Sequence, residues 1–375
     1  MTKHAVLLHP FTQNYEWGKV GESSAVAQLL AAGYGVSIKP SLPYAELWMG
    51  DHPNGPCQIQ ANGEVVHISG FLRQTSMGNI EFLFKVLSVR KALSIQSHPD
   101  RALAEKLHAS RPDLYKDANP KPELAIAISP FRALFGFRPL AEIDDFFNAL
   151  PCLSRVLPLR PSVSGLRDAY LSLMRASPSD VQRTIAELLV TDNKDSDPKI
   201  VEAVALAKEL NHQFPGGDVG VLSVFFLNIV ELSPGECLFM GPNVPHAYLS
   251  GDILECMTSS DNVIRGGLTP KFKDVETLIS SLDYTSTHPE LLEPKDGSTW
   301  SPPNVPFAVS RICDQAAQIR TSSRGPSIAL VMGGSGLIGN LPLRQGQSCL
   351  LYPGSEIAFV PDSAGFDVYL AFSPE

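Results

Sequence analysis

Gln96 and His98 sit two positions apart in the stretch ALSIQSHPD (92–100), a polar pair inside otherwise apolar strand sequence. Side chains alternate along a strand, so both project from one face while Ile95 and Ser97 project from the other. Polar groups converging where a core would lie are either hydrogen-bonded internally or grip a ligand or metal. Glu123 in KPELAIAI (121–128) and His246 in FMGPNVPHAYL lie in similar polar islands within apolar β sequence. Two imidazoles and a carboxylate suit a catalytic Zn²⁺ with open positions. Gln96 would add a weak, neutral oxygen ligand and so leave the ion a strong Lewis acid. Most of the other histidines have structural readings. His108 and His212 fall on helices, His4, His9 and His288 in terminal or loop segments, and His52 follows Asp51 in a loop where it can hydrogen-bond locally. Tyr15, Trp17 and Trp48 read as core packing.

These residues need strands to hold them. AELWMGDHPNGP (45–56), EVVHISGF (64–71) and FLFKVLSV (82–89) alternate apolar runs with turn residues, as strands do. Asp100 caps a short helix over DRALAEKLHA, and KPELAIAISPFRALFGF (121–137) returns to strand. Between about 140 and 213 the apolar period becomes helical, with Ile143, Phe146, Phe147 and Leu150 opening a run of about four segments and SPSD and DSDP as start signals. Strands resume with VLSVFFLNIVEL and GECLFMGPNVPHAYLSGDILECM. From about 300, FAVSRICD, SIALVMGG, SCLLYPGSEIAFV and FDVYLAFS predict a small β-sandwich or jelly roll. GSGLIG (334–339) satisfies G-x-G-x-x-G, but NLPLRQGQS follows it where the dinucleotide fingerprint needs a helix, so it reads as a hairpin turn.

The 375 residues allow two or three domains of ordinary globular composition, and 31 prolines with 28 glycines favour a turn-rich β architecture. A net charge of −9 repels nucleic acids and acidic membranes, so an anionic substrate requires a local cationic pocket. MTKHAVLLHPFTQNYEWGK lacks the features of a signal peptide, and no segment reaches membrane-spanning length, which points to the cytoplasm. The six cysteines contain no CxxC pair and read as buried, reduced thiols.

QNYEWGK (13–19), AELWMGDHPNGP (45–56), FLFKVLSVRKALSIQSHPD (82–100), KPELAIAI (121–128) and FMGPNVPHAYLSGDILECMTSSDNVIRGGLTPKF (239–272) resemble, in order, the type I mannose-6-phosphate isomerase family. The resemblance covers about residues 9–285 and is only general beyond. It implies a mainly β protein of the cupin superfamily with an α insertion. A discontinuous jelly-roll catalytic domain (1–139 and 214–290), a helical domain (140–213) and a second jelly roll (291–375) are expected. It implies one Zn²⁺ per chain on Gln96, His98, Glu123 and His246. Catalytic positions fall on Arg265, Lys121, Glu255 and Asp261, and substrate-binding positions on Lys85, Ser94, Tyr248 and Lys271. The implied reaction interconverts mannose 6-phosphate and fructose 6-phosphate through an enediol, in a cytoplasmic monomer whose partner is the small sugar phosphate.

One departure stands out. The family usually reads N-H-K-P-E where this chain has NPKPE, with Pro120 in the place of the histidine. Proline removes an imidazole and a backbone N–H and confines Asn119 to extended geometry. Two other readings compete with the isomerase. An iron-dependent cupin dioxygenase would use the same two histidines and carboxylate, but Gln96 and the cations Lys85, Lys121 and Arg265 favour a sugar phosphate. A sugar-phosphate sensor without turnover finds support only in Pro120.

Overall fold

The computed structural model describes residues 4–61, 63–191 and 197–375. The first three residues of the N-terminal stretch, and Asp195 and Ser196 of DSDP, lie outside the described residues.

One large antiparallel sheet carries the candidate chemistry. Its central strands are Glu46–Met49, Phe82–Val89, His246–Thr258, Phe131–Phe137 and Leu227–Leu232, with Ile95–Ser97, Glu123–Ala127, Cys237–Met240 and Ile264–Gly267 paired off them. The long strand His246–Thr258 serves both halves of the sheet. Its first part pairs with Phe131–Phe137, and its second part with Phe82–Val89 and Glu123–Ala127. Gly251 makes the change of direction possible. Its φ is +113°, and a Cβ there would lie 2.5 Å from the Pro130 carbonyl oxygen, so only glycine fits.

Alternation divides that sheet into two faces. Phe84, Val86, Leu124, Ile126, Leu254 and Cys256 point inward and pack on Leu8, Ile328, Leu330 and Leu350 of a second, eight-stranded sheet. The opposite face carries Trp48, Lys85, Glu255 and Glu123, so the same strands build a core on one side and a polar site on the other. The second sheet packs its far face on a four-stranded sheet through Val331, Cys349, Leu351, Ile357 and Phe359. It takes strands from both ends of the chain. Ala5–His9 lies beside Ser348–Leu351, and Gln58–Ala61 with Glu64–His67 extends it. Sheet membership therefore cuts across the segments expected along the chain.

The helical region is built as its periodicity predicts. Ser177 caps Pro178–Val190 by accepting the Asp180 N–H, and Asp197 caps Pro198–Gln213 by accepting the Lys199 N–H. Val181, Ile185, Leu188, Val204 and Leu210 bury one stripe each against Phe225, Phe226 and Tyr170. Each fully buried side chain of this kind stabilises by roughly 1.5–3 kcal/mol.

Several elements differ from the sequence reading. EVVHISGF is a strand only over Glu64–His67. Ile68–Thr75 is a helix, because Ile68, Phe71 and Leu72 fall on one helical face. The start of VLSVFFLNIVEL is a 3₁₀ helix, Val219–Phe225, capped by Asp218. Ala25–Tyr34, not anticipated, is a helix with Ser24 as its N-cap and Gly35 in the left-handed conformation at its end. GSGLIG forms no helix. Ser335–Ile338 is a strand, and the turn begins at Gly339. Cys57, Cys237, Cys256 and Cys349 are buried, but Cys152 is half-buried and Cys313 exposed, since Cys313 sits on the outer face of its strand.

Candidate active site

His98, just past the strand Ile95–Ser97, comes together with Glu123 and His246, each at the first residue of its own strand, and all three are almost wholly buried. Nε2 of His98 lies 3.3 Å from Oε1 of Glu123, and Nε2 of His246 lies 3.5 Å from Oε2. The other ring nitrogens fix the tautomers. Nδ1–H of His98 donates to the Asn262 carbonyl at 2.8 Å, and Nδ1–H of His246 donates to the Val244 carbonyl at 2.9 Å. Both Nε2 atoms therefore present lone pairs. Burial pushes the His98 imidazole down to about 4 against the pull of Glu123, so it is neutral at pH 7. Burial opposes ionisation of Glu123, yet the Lys121 ammonium outweighs it and holds that carboxyl well below the ordinary carboxylate range. Two lone pairs and a carboxylate thus face one another, and Nε2 of both histidines and Oε2 of Glu123 have no hydrogen-bond partner among the described residues. Burying three acceptors this way is costly unless a cation joins them. The donor set fits Zn²⁺, with the outer-shell carbonyls that usually orient histidine ligands.

Gln96 lies directly across from His246 on one side and from Arg265 on the other. The register sets Arg265, Gln96 and His246 in one row across three strands. Gln96 Oε1 is 3.5 Å from Ser94 Oγ.

A cleft of about 880 Å³ opens beside this cluster. Lys85, Lys116, Lys121, Arg265 and Lys271 line it, as do the acids Glu16, Glu46 and Asp261. The cations are not equivalent. Lys121 Nζ is 3.0 Å from Oε1 of Glu123. Lys85 lies 2.8 Å from Glu255 and 3.6 Å from Glu46. Burial alone would depress the Lys85 ammonium, but Glu255 and Glu46 hold it above its ordinary value. Lys85 is thus committed to a buried ion-pair network. Arg265, Lys116 and Lys271 have no carboxylate partner among the described residues and remain available to an anion.

Of the expected catalytic residues, Arg265, Lys121 and Asp261 line the cleft. Glu255 stands behind Lys85, accepting the Tyr248 hydroxyl at 3.0 Å. Burial pushes its carboxyl above the ordinary range, while Lys85 pulls it back. Of the expected substrate contacts, Lys271 is at the rim, Lys85 is paired, and Ser94 and Tyr248 are not among the lining residues.

Sequence reasoning missed two features. His52 is buried and lines the cleft. The Asn54 N–H donates to its Nδ1 at 3.2 Å, leaving Nε2–H for Asp261 Oδ1 at 3.3 Å. Asn54 Nδ2 donates to the other Asp261 oxygen at 2.9 Å, and the His52 hydrogen bond leads the effects that lower the Asp261 carboxyl. Tyr15 is not core. It is 41% exposed, stacks on Trp17, and both line the cleft.

The Lys85 network carries a direct stability prediction. Lys85→Met should cost about 3–5 kcal/mol, because it strands two buried carboxylates. A urea midpoint lowered with an unchanged slope would show it, and an unchanged midpoint would refute it.

Two histidines and a glutamate converging on a jelly-roll sheet, beside a cation-lined cleft, make a candidate metal centre of the cupin class. The profile "Phosphomannose isomerase type I, catalytic domain" matches residues 6–140. A probable mannose-6-phosphate isomerase of Dictyostelium discoideum is 40% identical, covering 96% of this chain and 89% of its own. Mannose-6-phosphate isomerase of Bos taurus is 40% identical over 80% of each chain. Among solved structures, a mutant of phosphomannose isomerase from Salmonella typhimurium superposes with a TM-score of 0.86 at 27% identity, covering 99% of this chain and 100% of its own. A zinc-bound mannose 6-phosphate isomerase gives 0.85 at 27% identity over 100% of each chain. The chain belongs to the type I mannose-6-phosphate isomerase family.

Proposed function

We propose that this chain interconverts mannose 6-phosphate and fructose 6-phosphate through an enediol, using one Zn²⁺ held by His98, Glu123, His246 and Gln96. The observation that carries the reading is the buried set of ligand atoms at His98, Glu123 and His246 that have no hydrogen-bond partner among the described residues, set beside a cleft with three cations that have no carboxylate partner there. An ion bound there supplies Lewis acidity to a substrate carbonyl or its hydroxyls.

The chain's own groups supply the rest. Isomerisation removes the proton from C2, protonates the C1 oxygen, then returns a proton to C1 as the C2 hydroxyl loses its own. Asp261 is the cleft-lining carboxylate among the expected catalytic groups, ionised and aimed by His52 and Asn54, and we assign it the C2 proton. Lys121, fixed on Glu123, offers N–H donors to the substrate oxygens. Arg265 stabilises the enediolate, and Lys116 and Lys271 at the rim receive the 6-phosphate. Lys85 and Glu255 fix the cleft wall.

No helix among the described residues is long and apolar enough to cross a membrane. Action as a cytoplasmic monomer on a small sugar phosphate, with residues 140–213 as a helical domain and 291–375 joined by strands from the N-terminal segment as a second jelly roll, belongs to the same proposal.

The test is conversion of mannose 6-phosphate by purified protein before chelation, after it, and after Zn²⁺ is restored. Activity should vanish on chelation and return with zinc. Full activity in protein shown by elemental analysis to be metal-free, or none in zinc-loaded folded protein, would overturn the reading.

A further inference from the structure

Two short loops flank the cleft, and one side chain stitches them together. Asp117 lies four residues before Lys121, in the segment leading into NPKPE. Its Oδ1 accepts the Ser260 hydroxyl at 2.8 Å, the Asn119 N–H at 2.9 Å and the Asn262 amide at 3.2 Å. Its Oδ2 accepts the Asp261 backbone N–H at 2.9 Å, and its carbonyl accepts the Asn262 amide at 2.7 Å. The Asn119 carbonyl adds two more contacts, to Asn262 Nδ2 at 3.0 Å and Ser260 Oγ at 3.3 Å.

The far ends of this clamp are functional. Fully buried Asn262 presents the carbonyl that holds His98 Nδ1–H, and Asp261 presents the carboxylate that meets His52 and Asn54. On the near side, Pro120 and Pro122 fix φ on either flank of Lys121 and hold Asn119 and Lys121 extended. The segment bearing Lys121 and Glu123 is therefore stiff, and Asp117 is the point at which it is fastened to the 260–262 loop.

We propose that Asp117 is a positioning residue that holds the 260–262 loop in register with the Lys121–Glu123 segment, thereby setting the orientation of both His98 and Asp261. This rests on the metal and base assignments above. It concerns a residue that touches neither metal nor substrate. Asp117→Ala frees the Asp261 and Asn262 contacts together, so zinc retention and turnover should fall in parallel. Outer-shell partners of metal ligands typically matter by about 10–100-fold.

The experiment loads wild-type, Asp117→Ala, Asp117→Asn and Ser260→Ala with Zn²⁺ and follows its release to a chromogenic chelator well below each melting temperature. The kcat and KM for mannose 6-phosphate are measured alongside. Asp117→Ala should release zinc at least about tenfold faster and lose kcat by a similar factor with KM little changed. Asp117→Asn, which keeps one carbonyl acceptor, should recover part of both. Ser260→Ala, which removes the hydroxyl that donates to Asp117 and accepts the Asn262 N–H but leaves the other Asp117 contacts, should show a smaller effect of the same kind and guards against misfolding of the Asp117→Ala variant. Wild-type zinc release and kcat in folded Asp117 and Ser260 variants, with only the melting temperature lowered, would overturn the proposal. Wild-type protein that retains no zinc would instead remove the metal assignment on which it rests.

Discussion

Glu123→Gln should leave a folded protein that no longer retains zinc and turns over less than about 1% as fast as wild-type, a loss larger than the 10–100-fold expected of outer-shell changes. Glutamine matches the shape of glutamate but carries no charge, so the two imidazole lone pairs would face a neutral amide. The pocket could still satisfy hydrogen bonds, because an amide can donate to one Nε2, and that competes directly with metal. Lys121 would also lose the carboxylate 3.0 Å away. The metal-free fold should lose some stability as well, because the fold holds the Glu123 carboxyl well below its ordinary range and the amide leaves the largely buried Lys121 ammonium without its partner. The checks are metal content after gel filtration, thermal melting of the metal-free forms, and the isomerase assay with excess Zn²⁺. Wild-type zinc content in the variant would show that Glu123 is not a ligand.

The same local logic decided what the sequence could disclose. FLFKVLSV is a strand over all eight residues, and Asp100 caps its helix as read, because alternation and capping are properties of neighbours in the chain. His98, Glu123 and His246 were legible because a polar residue inside an apolar strand has few reasons to be there. The helix Ala25–Tyr34 carried its own marks, Ser24 before and Gly35 after, yet lay among strand-like runs that masked it. His52 makes the local hydrogen bond expected of it, from the Asn54 N–H, but its place in the cleft was hidden for a different reason. Its partner Asp261 reaches it only through tertiary folding, and a loop histidine beside an aspartate looks locally satisfied. Lys85 shows the limit most clearly. Its residue type suggested an anion site, but the antiparallel register places it opposite Glu255, and register is not written in either strand alone.

Arg265→Lys should lower kcat by about 10²–10³ while KM moves less than tenfold, as when one donor to a developing oxyanion is removed. Arg265, Gln96 and His246 occupy one row on adjacent strands, so Arg265 lies two strand spacings, roughly 10 Å, from His246. That distance suits a guanidinium acting on the reacting end of a sugar held between them. Half-buried and without a carboxylate partner among the described residues, Arg265 retains its full hydrogen-bonding capacity for substrate. Lysine preserves the charge but not the planar fork that can grip two enediolate oxygens at once. Exposed Lys271, by contrast, should act on the phosphate at the rim. Steady-state kinetics on Arg265→Lys separates the two roles. A raised KM with wild-type kcat would move Arg265 to the phosphate and leave the enediolate to Lys121, whose N–H groups are the nearest remaining donors to the cluster.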